Sequence, residues 1–288
     1  MNHPCPRAGV ATVAVARVNG LDSVPDSDEL SVEEPLEIRV AIAGEPDPRP
    51  VAVTMRTPGQ DIDLAAGFLV TEGIVSAREA VEAVERGGRN AVVARLRAGV
   101  APDLSGLGRH SFVSSSCGAC GKRTIEAVRV AGRYAIPPGE PRLTAGLIHG
   151  LPGALRSAQS EFARTGGIHA SGLFDRDGRL VAAREDVGRH NALDKLIGSE
   201  FLAGRLPLAG GIILVSGRVS FELVQKAAIA GVPVLGAVGA PSSLAVDLAR
   251  EFGMTLLGFV RDARFNVYAD AGRIATPATS AHSSWGIS

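Results

Sequence analysis

Apolar positions follow two different patterns along this chain of 288 residues, and the first pattern occupies its N-terminal part. A period of two predicts strands at 36–42 and 51–57, joined as a hairpin, and a helical spacing predicts an amphipathic helix at 61–73. Further strand residues are expected at 91–96 and 112–113. Together these elements predict a small N-terminal α+β unit.

The second pattern occupies the C-terminal part, where predicted apolar strands alternate with predicted amphipathic helices. Strands are predicted at 168–174, 180–183, 211–216, 232–238 and 255–260, and helices at 143–162 (interrupted at Pro152-Gly153), 186–197, 221–230 and 242–252. Near-continuous apolar strands between such helices are typical of a parallel sheet that is covered on both faces. The expected fold class is therefore α/β.

The same patterns predict how the chain is divided. Five parts are expected: a flexible lead-in (1–33), an α+β domain (34–112), a mobile cysteine loop (113–124), an α/β domain (125–275) and a disordered tail (276–288). The lead-in is expected because these residues contain Pro25, several acidic side chains and little periodicity. The tail is expected because it is rich in serine, threonine and alanine.

Composition narrows the classes of function. The chain carries 30 basic and 30 acidic residues, so no net charge attracts nucleic acid. No run reaches the roughly 18 apolar residues that a membrane-spanning helix needs, and the N-terminal residues lack the pattern of a secretory signal. Three cysteines, an odd number, disfavour a secreted disulfide framework. We therefore expect a cytoplasmic protein that binds neither membrane nor nucleic acid.

The clearest candidate chemistry is a C-x-x-C pair, Cys117 and Cys120, in a stretch rich in serine and glycine. A thiol is a nucleophile only when it is deprotonated, and the cationic neighbours Lys122 and Arg123 favour the thiolate. The flanking serines and glycines allow the chain to present a sulfur atom to a large partner. The pattern therefore favours nucleophilic sulfur chemistry at Cys117.

Two other functions of this pair stay open. A C-x-x-C can be half of a structural zinc site, which needs four ligands. The sequence has no second C-x-x-C, and Cys5 lies in the expected flexible lead-in. His110 could contribute, but one histidine does not complete the set. The pair could also be a thioredoxin-like dithiol, although that motif opens a helix in a βαβ unit, whereas here serines precede the pair and Gly121 follows it.

Polar residues gather where two of the predicted strands end, at 184–195 and 216–220. The first segment carries both charge signs, and Asp186 could orient His190. The second segment enters a helix at the carboxyl end of a strand, where free N–H groups attract phosphate. A solvated charged face and an ordinary turn are the alternative interpretations. Four side chains are candidates for lining a pocket: Asp186, Arg189, His190 and Arg218.

Two further motifs invite chemical interpretations. Arg261 and Arg264 lie among aromatic residues after the last strand, where they could grip phosphates beside a stacked purine. An edge hairpin with surface arginines is the alternative. His169 and Ser171 are spaced like the H-x-E of zinc deaminases, but serine replaces the glutamate and no P-C-x-x-C follows. The sequence therefore lacks the residues for that hydrolysis.

Considered together, these segments resemble the formate dehydrogenase accessory sulfurtransferase family (FdhD/NarQ). The segments that carry the resemblance are TMRTPG (54–59), LAAGFL (64–69), TEG (71–73), SCGACG (116–121), EDVGRHNALDK (185–195) and SGRVSFELVQK (216–226). The similarity extends over residues 36–274, and chance is a poor explanation for several long, independent segments.

The resemblance implies two domains, of which the C-terminal one is a three-layer α/β domain similar to cytidine deaminase. It implies a sulfurtransferase that takes persulfide sulfur from a cysteine desulfurase. The sulfur passes to a molybdenum (or tungsten) bis(molybdopterin guanine dinucleotide) cofactor, a bound substrate, before this cofactor is inserted into formate dehydrogenase. The implied site residues are Cys117 as persulfide carrier, Cys120 in relay or release, and Phe259, Val260, Arg261, Asp262, Ala263 and Arg264 in cofactor binding.

The expected partners follow from the same resemblance. They are a cysteine desulfurase, formate dehydrogenase, GDP-like nucleotide moieties and a second copy of the chain in a homodimer. No permanently bound metal is expected. The alternative function is a cofactor-binding chaperone whose thiols undergo no covalent turnover.

Overall fold

The computed structural model describes residues 9–104, 112–113 and 134–275, with the backbone alone at 112–113. These residues form a two-stranded ribbon, a five-stranded sheet and a six-stranded sheet. The predicted mixed α/β fold is confirmed.

The ribbon consists of β1 (Val10–Asn19) and β2 (Asp22–Ser31), which pair antiparallel along their full length. Residues 10–31 of the expected flexible lead-in thus form two regular strands, which the sequence did not predict. In β1, valine and threonine favour an extended chain. Pro25 of β2 is tolerated because, among the described residues, each strand of this two-stranded ribbon has a free edge.

The five-stranded sheet belongs to the N-terminal part. Its elements are β3 (Glu34–Ala41), β4 (Arg49–Arg56), α1 (Asp61–Thr71), a 3₁₀ turn (Arg78–Ala80), β5 (Val81–Gly88), β6 (Ala91–Leu96) and β7 (Phe112–Val113). The strand order is β5-β6-β3-β4-β7. The predicted hairpin, helix and strands are confirmed, whereas β5 was not predicted because its second half, Glu85-Arg-Gly-Gly88, is polar and rich in glycine.

The six-stranded sheet belongs to the C-terminal part. Its elements are α2 (Ala145–Ala158), α3 (Ser160–Thr165), β8 (His169–Phe174), β9 (Leu180–Asp186), α4 (Arg189–Leu202), β10 (Ile212–Val215), α5 (Phe221–Ile229), β11 (Val234–Ala237), α6 (Ser243–Glu251), β12 (Thr255–Arg261) and β13 (Arg264–Ala269). The strand order is β13-β12-β11-β10-β8-β9. Strands β10, β11 and β12 are parallel, and antiparallel strands flank them on both sides.

Helices cover both faces of this sheet. Apolar side chains of α2 pack on one face, and those of α4, α5 and α6 pack on the other, which gives three layers. Pro152 lies within α2 and does not interrupt it; the helix ends at Ala158, with Gln159 as its C-cap residue. The predicted break at Pro152 is therefore wrong.

Helix α1 of the N-terminal part crosses α4 of the C-terminal part at backbone contact distance. A Cβ atom at Gly67 would lie 1.9 Å from the carbonyl oxygen of Asp194, and one at Gly198 would lie 1.9 Å from that of Asp63. Only glycine allows two helices to approach so closely. As a result, apolar residues from both sheets belong to one continuous core.

Candidate functional site

The parallel strands β10, β11 and β12 end at one edge of their sheet, and the loops after them bring candidate residues together. One loop, 216–220, leads into α5, and another, 238–242, leads into α6. The loops are tied to each other, because the Val219 N–H donates to the Ala240 carbonyl (3.1 Å) and the Ser242 N–H donates to the Val219 carbonyl (2.9 Å). Ligands of open α/β sheets bind at such an edge.

A cavity of about 270 Å³, here called the arginine pocket, lies between these loops. Two helices begin at it, since Ser220 is the N-cap residue of α5 and Ser242 that of α6. Arg189 and Arg218 also line it, and neither forms an ion pair with another described residue. Helix N-termini and free guanidinium groups both favour anions, so the pocket suits a phosphate or diphosphate group.

The segment Phe259–Arg264 starts beside this pocket. The Phe259 N–H donates to the carbonyl of Gly239, which directly precedes the pocket residue Ala240 (3.0 Å). Phe259 has a left-handed φ of 51°, which is uncommon for a residue with a side chain and often marks a functional position. The structure therefore places the start of the predicted cofactor segment next to the pocket.

The remainder of this segment turns away as a hairpin. Asp262 and Ala263 have φ values of 52° and 54°, as expected for a tight turn that joins β12 to β13. Val260 is buried in the core, while Arg261 and Arg264 are exposed and do not line the arginine pocket. The interpretation as an edge hairpin with surface arginines thus describes the local structure.

His190 joins α4 to α5 at the same edge. Its Nε2 atom lies 2.9 Å from Glu222 Oε2 and 3.2 Å from Ser220 Oγ. Burial alone would raise the pKa of Glu222, but the hydrogen bond and charge of His190 outweigh it and lower that pKa. Both contacts use one ring nitrogen, whereas a Ser-His-Asp triad uses two, so this is no such triad.

Asp186 serves a structural purpose, and the prediction that it orients His190 is wrong. The carboxylate is buried 2.7 Å from Lys195 Nζ and accepts hydrogen bonds from the N–H groups of Thr57 and Gly188 (3.2 and 2.8 Å). These contacts fix the start of α4 against the N-terminal part. The alternative of a solvated charged face is also wrong, because four polar residues of this segment are buried: Asp186, Asn191, Asp194 and Lys195.

A larger cleft of about 630 Å³ lies on the α2 side of the same sheet edge. Arg156 lies over the Phe162 ring at 4.1 Å from its centre, and both residues line the cleft. His169, at the start of β8, lines it as well. Burial lowers the pKa of His169, and the charges of Arg189 and His190 lower it further, so the imidazole is neutral at neutral pH. The sequence did not indicate this cleft.

A buried ionic cluster near the crossing of α1 and α4 was not predicted either. Lys226 Nζ lies 2.9 Å from Thr71 Oγ1 and 3.0 Å from both Glu72 Oε1 and Asp194 Oδ2. Burial alone would lower the pKa of Lys226, but the two carboxylates outweigh it and raise that pKa. A signal was present: the chain has three lysines, and one of them, Lys226, lies on a largely apolar helix.

The predicted persulfide residues, Cys117 and Cys120, lie outside the described residues, as do Lys122 and Arg123. Within 9–104 and 134–275, no group of three or more His, Cys, Asp or Glu residues could hold a metal ion. A zinc site that includes the cysteines is therefore not tested. In the same part of the chain, no helix is both long and apolar enough to cross a bilayer.

Comparison with known proteins identifies the family. The model of the FdhD/NarQ family matches residues 31–275. The chain belongs to the FdhD/NarQ family. A sulfur carrier protein FdhD from Streptomyces avermitilis is 51% identical over 265 residues, which are 88% of this chain and 92% of that relative. One from Mycobacterium tuberculosis is 49% identical over 260 residues, 86% and 92% of the two chains.

A solved structure shares the fold of this FdhD/NarQ member. It is described as a formate dehydrogenase accessory protein from Desulfotalea psychrophila, with a TM-score of 0.73 and 23% identity. The match covers 93% of this chain and all of that one. The fold thus extends to distant relatives, while the family resemblance found in the sequence is confirmed.

Proposed function

We propose that this protein is a sulfur carrier for the maturation of formate dehydrogenase. Cys117 takes persulfide sulfur from a cysteine desulfurase and delivers it to a molybdenum or tungsten bis(molybdopterin guanine dinucleotide) cofactor before insertion. The names of the relatives support the sulfur-carrier function. The arginine pocket is the observation that supports binding of the cofactor. A cytoplasmic location, where desulfurases and cofactor chemistry meet, belongs to the same proposal.

The arginine pocket suits the diphosphate of a guanine dinucleotide. Arg189 and Arg218 supply two planar donor groups, and the N-termini of α5 and α6 supply free backbone N–H groups. Phe259 lies beside it and provides a ring that a base can stack on. The larger cleft on the other side of the sheet edge offers space for the remainder of a large cofactor.

The described chain leaves the N-terminal sheet close to this pocket. Val113, the last residue of β7, pairs with Thr54 of β4. Thr54 Oγ1 donates to Asn191 Oδ1 (3.2 Å), and Asn191 lies in the first turn of α4, two residues after Arg189. Cys117 follows Val113 by four residues in the sequence. Because four residues of chain span at most about 14 Å, this connection supports delivery of sulfur near the pocket.

The loading step is a transfer between thiols. The Cys117 thiolate attacks the terminal sulfur of the desulfurase persulfide, a new S–S bond forms on Cys117, and the old S–S bond breaks with its electron pair on the desulfurase thiolate. For release, the Cys120 thiolate attacks the inner sulfur of Cys117. A Cys117–Cys120 disulfide then forms and hydrosulfide leaves. The dithiol supplies the two electrons that convert sulfane sulfur to sulfide, and a cellular thiol reductant regenerates it.

Loading with a cysteine desulfurase and free cysteine is expected to add the mass of one sulfur atom to the intact protein. Cys117→Ala should abolish this gain, because the accepting thiolate is absent, whereas Cys5→Ala should load fully. Cys120→Ala should load but release little sulfide. Intact-mass spectrometry and a sulfide assay measure these results. If the wild-type protein gains no mass, the chaperone without covalent turnover is the better description.

GDP, a fragment of the proposed cofactor, tests the pocket separately by titration calorimetry. Arg189→Ala with Arg218→Ala is expected to weaken GDP binding at least about tenfold, because two charge-assisted contacts to phosphate are lost. Arg261→Ala with Arg264→Ala should have a smaller effect, and Arg95→Ala, an exposed residue of β6, should have none. If GDP binding is lost only in the Arg261→Ala, Arg264→Ala variant, the diphosphate binds at the hairpin and not in the arginine pocket. Absence of GDP binding to the wild-type protein would contradict the cofactor proposal.

A further inference from the structure

A histidine and a glutamate form a largely buried pair beside the arginine pocket. His190 Nε2 lies 2.9 Å from Glu222 Oε2 and 3.2 Å from Oγ of the pocket residue Ser220. Because the Glu222 carboxylate is ionised at neutral pH, Nε2 must carry a proton and donate it to this carboxylate. A nitrogen that donates has no lone pair for the Ser220 hydroxyl proton. That proton is therefore available to an anion in the pocket.

The contact with His190 changes how α5 begins. At the start of α6, the Ser242 hydroxyl caps its own helix by accepting from the N–H of Ala245 (3.3 Å). Ser220 holds the equivalent position in α5, but its hydroxyl forms no such cap and lies against His190 instead. The first N–H groups of α5 thus receive no hydrogen bond from their N-cap side chain, and they still attract a negative charge.

The chain carries a negative charge of its own at this place. Glu222 lies in the first turn of α5, two residues after Ser220, where helix N–H groups attract a carboxylate. Glu222 nevertheless does not line the arginine pocket. The charges that act on it most are those of His190, Lys226 and Glu72, and not those of the two pocket arginines. The carboxylate is thus turned away from the pocket.

The other charges near Glu222 do not hold it in this position. Lys226 attracts it, but the Lys226 ammonium group already donates to three oxygen atoms of the buried ionic cluster, and Glu72 repels it. Among the described residues, His190 is the one side chain that donates a hydrogen bond to Glu222. A carboxylate released from His190 would find its next donors at the start of its own helix and in the pocket.

We propose that His190 is a positioning residue, which holds the Glu222 carboxylate away from the arginine pocket and so leaves the pocket open to a phosphate or diphosphate group. Without His190, Glu222 becomes an internal competitor for the N–H and guanidinium groups that such a ligand needs. The inference rests on the proposed function, in which the pocket binds a diphosphate. Its test uses inorganic pyrophosphate and involves neither sulfur nor the cofactor.

Titration calorimetry of the full chain with inorganic pyrophosphate tests the proposal, and we expect the wild-type protein to bind it. His190→Phe and His190→Ala, which both lack a donor, should weaken binding at least about tenfold, because the released carboxylate competes with the ligand. His190→Gln should retain most of the affinity, since its amide can still donate to Glu222. Glu222→Gln added to either weak variant should restore binding, because the competing charge is gone.

Two matched controls change the same residue types elsewhere. His149→Phe alters an exposed histidine of α2, and Glu82→Gln alters an exposed carboxylate of β5, so neither should affect binding. Circular dichroism on heating verifies that each variant is folded.

Three results would overturn the proposal. They are a wild-type protein that does not bind pyrophosphate, His190 variants without a donor that bind it as tightly as the wild-type protein, and double variants that stay weak. The last result would mean structural damage, which removal of the Glu222 charge cannot repair. The expected pattern in a protein that binds no GDP would uphold this inference and contradict the cofactor proposal.

Discussion

Replacing Gly67 by alanine is expected to destabilise the protein by about 4 kcal/mol or more, close to the whole stability of many domains. The added Cβ would lie 1.9 Å from the backbone oxygen of Asp194, and neither helix can give way without moving a sheet. Gly198→Ala should behave alike, since its Cβ meets the Asp63 backbone at the same distance. Urea denaturation followed by circular dichroism measures the change in the free energy of unfolding.

Gly150→Ala is the matched control for these two substitutions. Gly150 lies in α2, and apart from its chain neighbours and the backbone of its own helix a Cβ atom there would meet no described atom within 4 Å. Alanine at this position should stabilise the protein by about 0.5–1 kcal/mol, because it restricts the unfolded chain and favours the helix. A Gly67→Ala variant as stable as the wild-type protein would contradict the close crossing of α1 and α4.

Replacing Lys226 by methionine is expected to cost about 3–5 kcal/mol, because it leaves the buried carboxylate of Asp194 without its ammonium partner. Methionine fills a similar volume, so the loss reports charge and not a cavity. The double variant Lys226→Met with Asp194→Asn should recover much of this stability. Arg95→Met, which breaks an exposed ion pair with Glu85, should leave the free energy of unfolding nearly unchanged.

The loss of stability in Lys226→Met is expected to depend on pH. In the wild-type protein burial already raises the pKa of Asp194 against the opposing charge of Lys226. Without that charge the folded-state pKa rises further above the unfolded value. Protonation then relieves the cost, so the deficit of Lys226→Met should shrink as the pH falls from about 7 to about 5. A deficit that is constant over this range would show that lost packing, and not an unpaired charge, destabilises the variant.

The local pattern of apolar residues was sufficient to predict much of the C-terminal sheet. The predicted strands at 211–216, 232–238 and 255–260 contain β10, β11 and most of β12. Short apolar runs bounded by glycine and serine are typical of buried strands, so they could be identified from the sequence alone. The ribbon was not predicted, because its local sequence does not favour strands. Strand β2 contains Pro25 and four acidic residues, and pairing with the valine-rich β1 overrides that poor local preference.

The candidate site was predicted in part. Arg189, Arg218 and His190 are placed at one sheet edge, as expected for residues that follow strands or open helices. The function of Asp186 could not be predicted, since its partner Thr57 is distant in the sequence and only tertiary packing brings the two together. Glu222 was missed because nothing local indicates that its carboxylate faces His190.

The crossing of α1 and α4 has a mechanical consequence. Many proteins with two sheets admit a large ligand by hinge or shear motion between rigid bodies. Here helix backbone meets helix backbone without a layer of side chains that could slide, so closure of one half on the other is not available. If the proposed cofactor binds at the sheet edge, its entry and departure therefore cannot rely on closure of one half of the protein on the other.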